Sequence, residues 1–232
     1  RAIGYYDGLP KPLQTPETAR NRALAQARHA AVLRTQGKLA DARTTADEGV
    51  AVLERLYGQG DRTEPTLIGL SLGHVVLSRT TSGVGRDSDA LKPMQRAAEV
   101  IQATAEAPAA SPALRRAHAF ALWSLGWVQR QNAQGEVAVD NLEAALKILK
   151  GIDELSLADL NAATQFAEAS GWLGYAYSEL GRVDAARAVG QEGRQVATRI
   201  LEQRPTHYPA LRARALLTNV LADVAGDEWR VA

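Results

Sequence analysis

Leu173-Gly174-Tyr175-Ala176-Tyr177 is followed by Leu180-Gly181-Arg182 and then by Ala186. An apolar run holding one glycine, then a second glycine seven residues later, describes a helix that packs closely, stops in a tight turn and hands over to a second helix. The same frame occurs 144 residues earlier, where Gly37, Ala42, Arg43, Glu48, Gly49 and Arg55 match Gly181, Ala186, Arg187, Glu192, Gly193 and Arg199. Similar residues fill the gaps: Lys38 with Arg182, Leu39 with Val183, Leu56 with Ile200. A fixed offset with matching small residues is a repeat signal, and a repeat of this kind means stacked helix hairpins.

Working outward, start and stop signals predict helices at about 16–36, 38–57, 64–80, 89–106, 112–133, 136–150, 157–180, 182–203 and 208–225, with ends uncertain by about two to four residues. Residues 1–8 read as the tail of a preceding helix. Thr15-Pro16 and Thr63-Glu64-Pro65 open helices, since threonine can cap free amides and proline fits a first turn. Ser111-Pro112, and Ser156 with Asp159, are similar starts; Gly37, Gly135, Gly181 and Gly226 are the expected breaks. Pro93 fits only if its helix begins within the preceding turn or so. Ser71-Leu72-Gly73, Ser124-Leu125-Gly126 and Trp172-Leu173-Gly174 are expected at comparable places, with uneven spacings of 53 and 48 residues absorbed by loops such as 81–88. Gly49 and Gly193, inside helices, are expected to let another helix cross closely, because glycine there otherwise costs about 1 kcal/mol.

Composition agrees with helix. The 232 residues are 46% hydrophobic but only 5% aromatic, and strands favour aromatic and β-branched residues. With 27 basic and 26 acidic residues the formal charge is +1, which gives no signal for nucleic acid or an anionic membrane surface. No apolar run reaches the roughly 18 to 20 residues that span a bilayer. Without cysteine, disulfides, thiolate metal sites and cysteine nucleophiles are excluded. The chain opens on Arg1 and has one methionine, Met94; the expectation is a piece of a longer protein, forming one helical-repeat domain over 1–232, located in the cytoplasm.

Leu173-Gly174, Tyr177, Gly181 and Ala186 resemble the tetratricopeptide repeat, well over 167–204, fairly over 23–57 and weakly elsewhere. Ser170 stands where the motif's tryptophan is usual, and the helices exceed a 34-residue unit. The resemblance implies a right-handed α-solenoid of antiparallel hairpins, about nine helices in expanded, degenerate repeats. It implies hairpins at 16–57, 64–106, 112–150 and 157–203, then a last helix. Tyr5 to Pro10 and Pro16-Glu17-Thr18 also look like helical tails in large bacterial signalling proteins.

Chemistry is sparse. His29, His74, His118 and His207 form no His-x-x-x-His or Glu-x-x-His pair, so neither a metal nor a cofactor has local support. Gly83-Val84-Gly85-Arg86 lacks the ending of a phosphate loop and reads as a flexible connector. No nucleophile elbow or carboxylate cluster is present, so no catalytic residue is assigned. Arg20, Arg22, Arg28 and Arg34 read as a solvated basic face.

Trp123 and Trp127 share a helical face with Arg130 three residues on, and Trp172 and Tyr175 lie three apart on a later helix. Large aromatics are usually core. The resemblance implies the other role, in which the residue after the motif glycine, and the one four before it, line a concave groove. By that carry-over Trp123, Trp127, Tyr175 and His74 point into the groove, with Arg130 and Arg34 one turn further on. The functional expectation is a non-catalytic scaffold for a protein or peptide partner, self-association included, within a larger signalling protein. The alternative is a small-molecule sensor with an aromatic pocket between helices; an all-helical enzyme is a third reading without a constellation behind it.

Overall fold

The computed structural model describes residues 2–152 and 160–231, and among these every regular element is helical. After α1 (Ala2–Asp7) and a single 3-10 turn come α2 (Pro16–Thr35), α3 (Leu39–Gly58), α4 (Glu64–Ser82), α5 (Asp87–Ala105) and α6 (Pro112–Gln131). They are followed by α7 (Gly135–Lys150), α8 (Leu160–Glu179), α9 (Val183–Gln203) and α10 (Tyr208–Val231). Among the described residues no helix is long and apolar enough to cross a membrane. The start signals at Ser156 and Asp159 lie outside the described residues.

The chain forms two compact units, residues 1–121 and 122–232. In the first, α2 pairs with α3 and α4 with α5, and α4 also packs on both members of the preceding hairpin. Its interior is built from Ala23, Val50, Leu53, Leu70 and Val100, and beside them Leu67, Ile101, Ala105 and Leu114. In the second unit α8 pairs with α9, α7 packs on α8, and α10 packs on both α8 and α9. Phe166, Leu142, Leu149, Ile200 and Leu217 are fully buried there.

The repeat is 48 residues long. The first helices of successive hairpins begin at Pro16, Glu64, Pro112 and, two steps later, Tyr208; the second helices begin at Leu39, Asp87, Gly135 and Val183. The turns between them hold left-handed residues at Gly37, Gly85, Ala133 and Gly181, with φ of 76°, 77°, 58° and 71°. Each turn closes the same way. The residue after the left-handed one donates back to a carbonyl five residues earlier: Lys38 to Leu33, Arg86 to Thr81, Gln134 to Gln129, Arg182 to Tyr177. This satisfies carbonyls that the helix end leaves free. Ala42, Ala90, Ala138 and Ala186 then follow at one frame position, all fully buried.

Gly37 and Gly181 therefore occupy equivalent turns, as the sequence implied, and the 144-residue offset is three periods. Gly49 and Gly193 share one equivalent contact. A Cβ on Gly49 would lie 3.2 Å from the Gln26 Cβ, and one on Gly193 would lie 2.5 Å from the Ser170 Cβ. Gln26 and Ser170 are themselves 144 residues apart.

Other expectations change. Gly73 is not equivalent to Gly126 and Gly174. The 48-residue frame aligns those two with Ala30 and Ser78, five residues beyond Gly73, and all four are buried small residues. Gly83 to Arg86 is not a loose connector but the α4–α5 turn. Gly135 is the first residue of α7, and Ala133 takes the left-handed position before it. Gly226 does not break α10, which continues to Val231. Pro93 lies well inside α5, beyond its first turn. Thr15 caps α2 by accepting from the Thr18 amide at 3.2 Å, and Ser111 accepts from the Leu114 amide at 3.1 Å. Thr63 makes no such cap; Asp61 accepts from the Thr63 amide and hydroxyl and from the Thr66 hydroxyl instead. Burial of Asp61 works against its charge, but these bonds and Arg20 at 3.4 Å hold its pKa down at about 2.

Neighbouring second helices are joined at one frame position by ion pairs of opposite polarity. Glu54 of α3 accepts from Arg96 of α5 at 2.9 and 3.0 Å. Two periods later Lys150 of α7 pairs with Glu192 of α9 at 2.8 Å.

Ala133 pays for a conformation that glycine adopts freely, a strain of about 1 kcal/mol. Ala133→Gly is expected to raise the melting temperature by roughly 2–4 °C, read from helix ellipticity on heating; an unchanged or lower midpoint would contradict the turn assignment.

Candidate functional site

The small residues Ala30, Ser78, Gly126 and Gly174 draw neighbouring helices together, and the residue after each lies beside that seam. In frame these are Ala31, Arg79, Trp127 and Tyr175, and one period beyond Tyr175 is Asp223. One turn further on stand Arg34, Ser82, Arg130 and Ser178. In the second unit these positions converge. Arg130, Trp172, Tyr175, Ser178, Glu179, Leu216 and Asp223, from α6, α8 and α10, line one groove of about 490 Å³.

Its apolar wall is a chain of rings. Trp127 meets Trp172 edge-on at 6.2 Å between centroids, and Trp172 meets Tyr175 at 6.1 Å, tilted by 38°. All three are half-buried. The Arg130 guanidinium lies 5.6 Å from the Trp172 centroid and 5.7 Å from that of Tyr175, a cation over negative ring faces. Its Nη1 also donates to the Glu179 carboxylate. Arg130 is therefore fixed by two aromatic faces and one acid, and Glu179 stays half exposed (52%) at the rim.

A second groove, also about 490 Å³, lies among α7, α8 and α9, with Leu146, Leu173 and Val189 in its lining. The Tyr177 hydroxyl there donates to Glu143. Burial first, then the Glu143 bond and charge, push that hydroxyl up to about 12. Among the described residues no group of three or more His, Asp or Glu side chains could hold a metal ion.

No family model and no curated protein sequence matches the chain. Solved structures do. BtubC from P. vanneervenii superposes with a TM-score of 0.61 at 14% identity, covering 97% of this chain and 89% of its own. A putative kinesin light chain from Podosopora anserina, with nearly identical TPR-like repeats, superposes with a TM-score of 0.54 at 16% identity, covering 90% and 98%. The fold is tetratricopeptide-like. At such identities the likeness concerns the fold alone: an all-α solenoid class built from antiparallel hairpins.

Within the tetratricopeptide-like frame the candidate residues separate. Trp127, Arg130 and Tyr175 meet around Trp172. Trp123 does not join them. It is 2% exposed, and Ala27, Val75 and Gly171 at the same frame position are buried too; this position faces the interior in every hairpin. His74 does not share the frame position of Trp127 and Tyr175, because the equivalent of Trp127 in the first unit is Arg79. The His74 ring, 12% exposed, meets Glu54 of α3 with Nε2 at 2.9 Å from Oε1. Arg34, half-buried in the last turn of α2, is the frame equivalent of Arg130 in the first unit. Trp172, Glu179, Leu216 and Asp223 were not assigned to the groove from sequence; Asp223 becomes legible once the 48-residue step is known.

Burial pushes the His74 pKa below 6.5, and the Glu54 bond restores only part of the shift. Its Nδ1 is buried without a partner, so a second ring proton has no acceptor. Arg96 above all, with His74 helping against burial, holds Glu54 below 4.5. The unfolded chain therefore takes up the histidine proton first as pH falls through 6.5, and stability declines on the acid side. His74→Gln is expected to flatten the fall in melting temperature between pH 7 and 5; an identical pH profile would show that His74 contributes nothing to it.

The two tryptophans on α6 should also part. Trp123→Ala is expected to cost about 3–5 kcal/mol as a core truncation, and Trp127→Ala only about 1 kcal/mol for its ring contact. Urea unfolding of both variants checks this, and equal losses would place Trp127 in the core.

Proposed function

We propose that this chain is a non-catalytic scaffold that binds a peptide segment of a partner protein, in the groove lined by Arg130, Trp172, Tyr175 and Glu179. The observation that carries the reading is the ring chain Trp127, Trp172 and Tyr175, half-buried rather than fully packed, with an arginine held over its faces. Tryptophan, tyrosine and arginine are the side chains in which binding energy concentrates. Trp127 and Tyr175 hold one frame position on α6 and α8 of the second unit, so an extended segment can be met there by successive helices. Arg79 holds that position in the first unit, and Arg34 that of Arg130.

A small-molecule sensor would hold its aromatics in a closed pocket. Here the rim carries exposed Glu179 and Asp223, which favours a segment laid along the surface. The finer reading places the chain within a larger signalling protein in the cytoplasm, with neither nucleic acid nor membrane as partner. The balanced charge of +1 is the support for excluding nucleic acid and an anionic membrane surface.

The test is selection of random dodecapeptides displayed on phage against the purified 232-residue chain, followed by affinity measurement of the selected peptides. Trp172→Ala and Tyr175→Ala are expected to weaken them by about tenfold or more, the loss of a hot-spot side chain. Failure to enrich any sequence, or binding indifferent to both substitutions, would refute the assignment.

A further inference from the structure

The groove also carries a charge preference. Its lining holds one cation, Arg130, against two carboxylates, Glu179 on α8 and Asp223 on α10. Arg130 pairs with Glu179, while Asp223 is exposed and makes no ion pair among the described residues. The aromatic faces already carry one cation: the guanidinium of Arg130 lies 5.6 and 5.7 Å from the Trp172 and Tyr175 centroids. A positive charge is attracted to a ring face by its quadrupole, most strongly for tryptophan. Leu216 adds an apolar contact beside them.

From this juxtaposition we infer that the groove selects a basic peptide segment, one whose arginine or lysine pairs with the Asp223 carboxylate while a neighbouring apolar residue meets Leu216 and the rings. The inference rests on the peptide-scaffold reading and adds the partner's chemistry. Arg130 and Glu179 neutralise one another, which leaves the Asp223 carboxylate as the uncompensated charge of the groove. An acidic segment would have to approach two carboxylates with only one already paired arginine in compensation.

The test uses displayed dodecapeptides and then synthetic copies in which each arginine is replaced by citrulline, its neutral isostere. Affinity is read by calorimetry at two salt concentrations. The expected result is enrichment of arginine or lysine beside an apolar residue. Asp223→Asn should weaken binding about fivefold, the scale of one partly exposed ion pair, with a smaller dependence on salt. Citrulline at the anchoring position should cause a loss of at least that size. Asp223 makes no ion pair that the substitution would break, so its variant should fold, and helix ellipticity checks this. Enriched acidic peptides, or affinity unchanged or raised by Asp223→Asn, would overturn the basic preference. If those peptides still depend on Trp172, the scaffold reading stands without it; if no peptide is captured at all, both readings fall.

Discussion

Close approach of helix backbones is the constraint on which this structure depends. A hairpin stacks on its neighbours only where side chains are small enough to let the axes come together. Four frame positions supply that room. Ala23, Ser71, Ala119 and Ala167 form one; Ala30, Ser78, Gly126 and Gly174 another; Ala42, Ala90, Ala138 and Ala186 a third; and Gly49, Ala97, Ala145 and Gly193 a fourth, all buried. Larger residues fill the space between them, as Leu53, Ile101 and Leu149 do at a further shared position. The groove follows from the same geometry, because residues adjoining a tight seam have one side packed and one side open. Trp127 and Tyr175 are half-buried for that reason.

The helical class was legible from composition and from the frame shared by Gly37 and Gly181. The period was not. Its second turn carries two glycines, Gly83 and Gly85, only one of which is left-handed. Its third carries alanine at the left-handed position, with a glycine two residues later that belongs to α7. A reading that follows glycines therefore slips at both turns and sees uneven spacing where the helix starts keep one step. That slip puts His74 in the groove, because it sets Gly73 where the 48-residue frame has Ser78. Serine does the work of glycine there: small and buried, its hydroxyl donates to the Ala90 carbonyl at 2.7 Å.

The groove was half legible. Arg130 and the two aromatics beside the seam follow from the repeat, while Trp123 does not, because the position four residues earlier is interior in every hairpin. Glu179 and Asp223 contribute through tertiary convergence of α8 and α10, which no local pattern in this sequence announces. The resulting site is made of ring faces, one held guanidinium and two carboxylates.

The reversed ion pairs on the second helices have a consequence for how the chain finds its register. Hairpins of equal length and similar interior are hard to tell apart, and an array of them is at risk of pairing the wrong neighbours. Glu54 meets Arg96, whereas Lys150 meets Glu192; the intervening frame position holds uncharged Gln102 and Ala144. Exchanging partners between the two pairs would set Glu54 against Glu192 and Arg96 against Lys150. Each correct pair on a partly exposed surface is worth little, but the wrong combinations repel, and a small attraction set against a repulsion is enough to discriminate. The reversal of sign thus favours the neighbour each of these helices has over the frame equivalent two periods away.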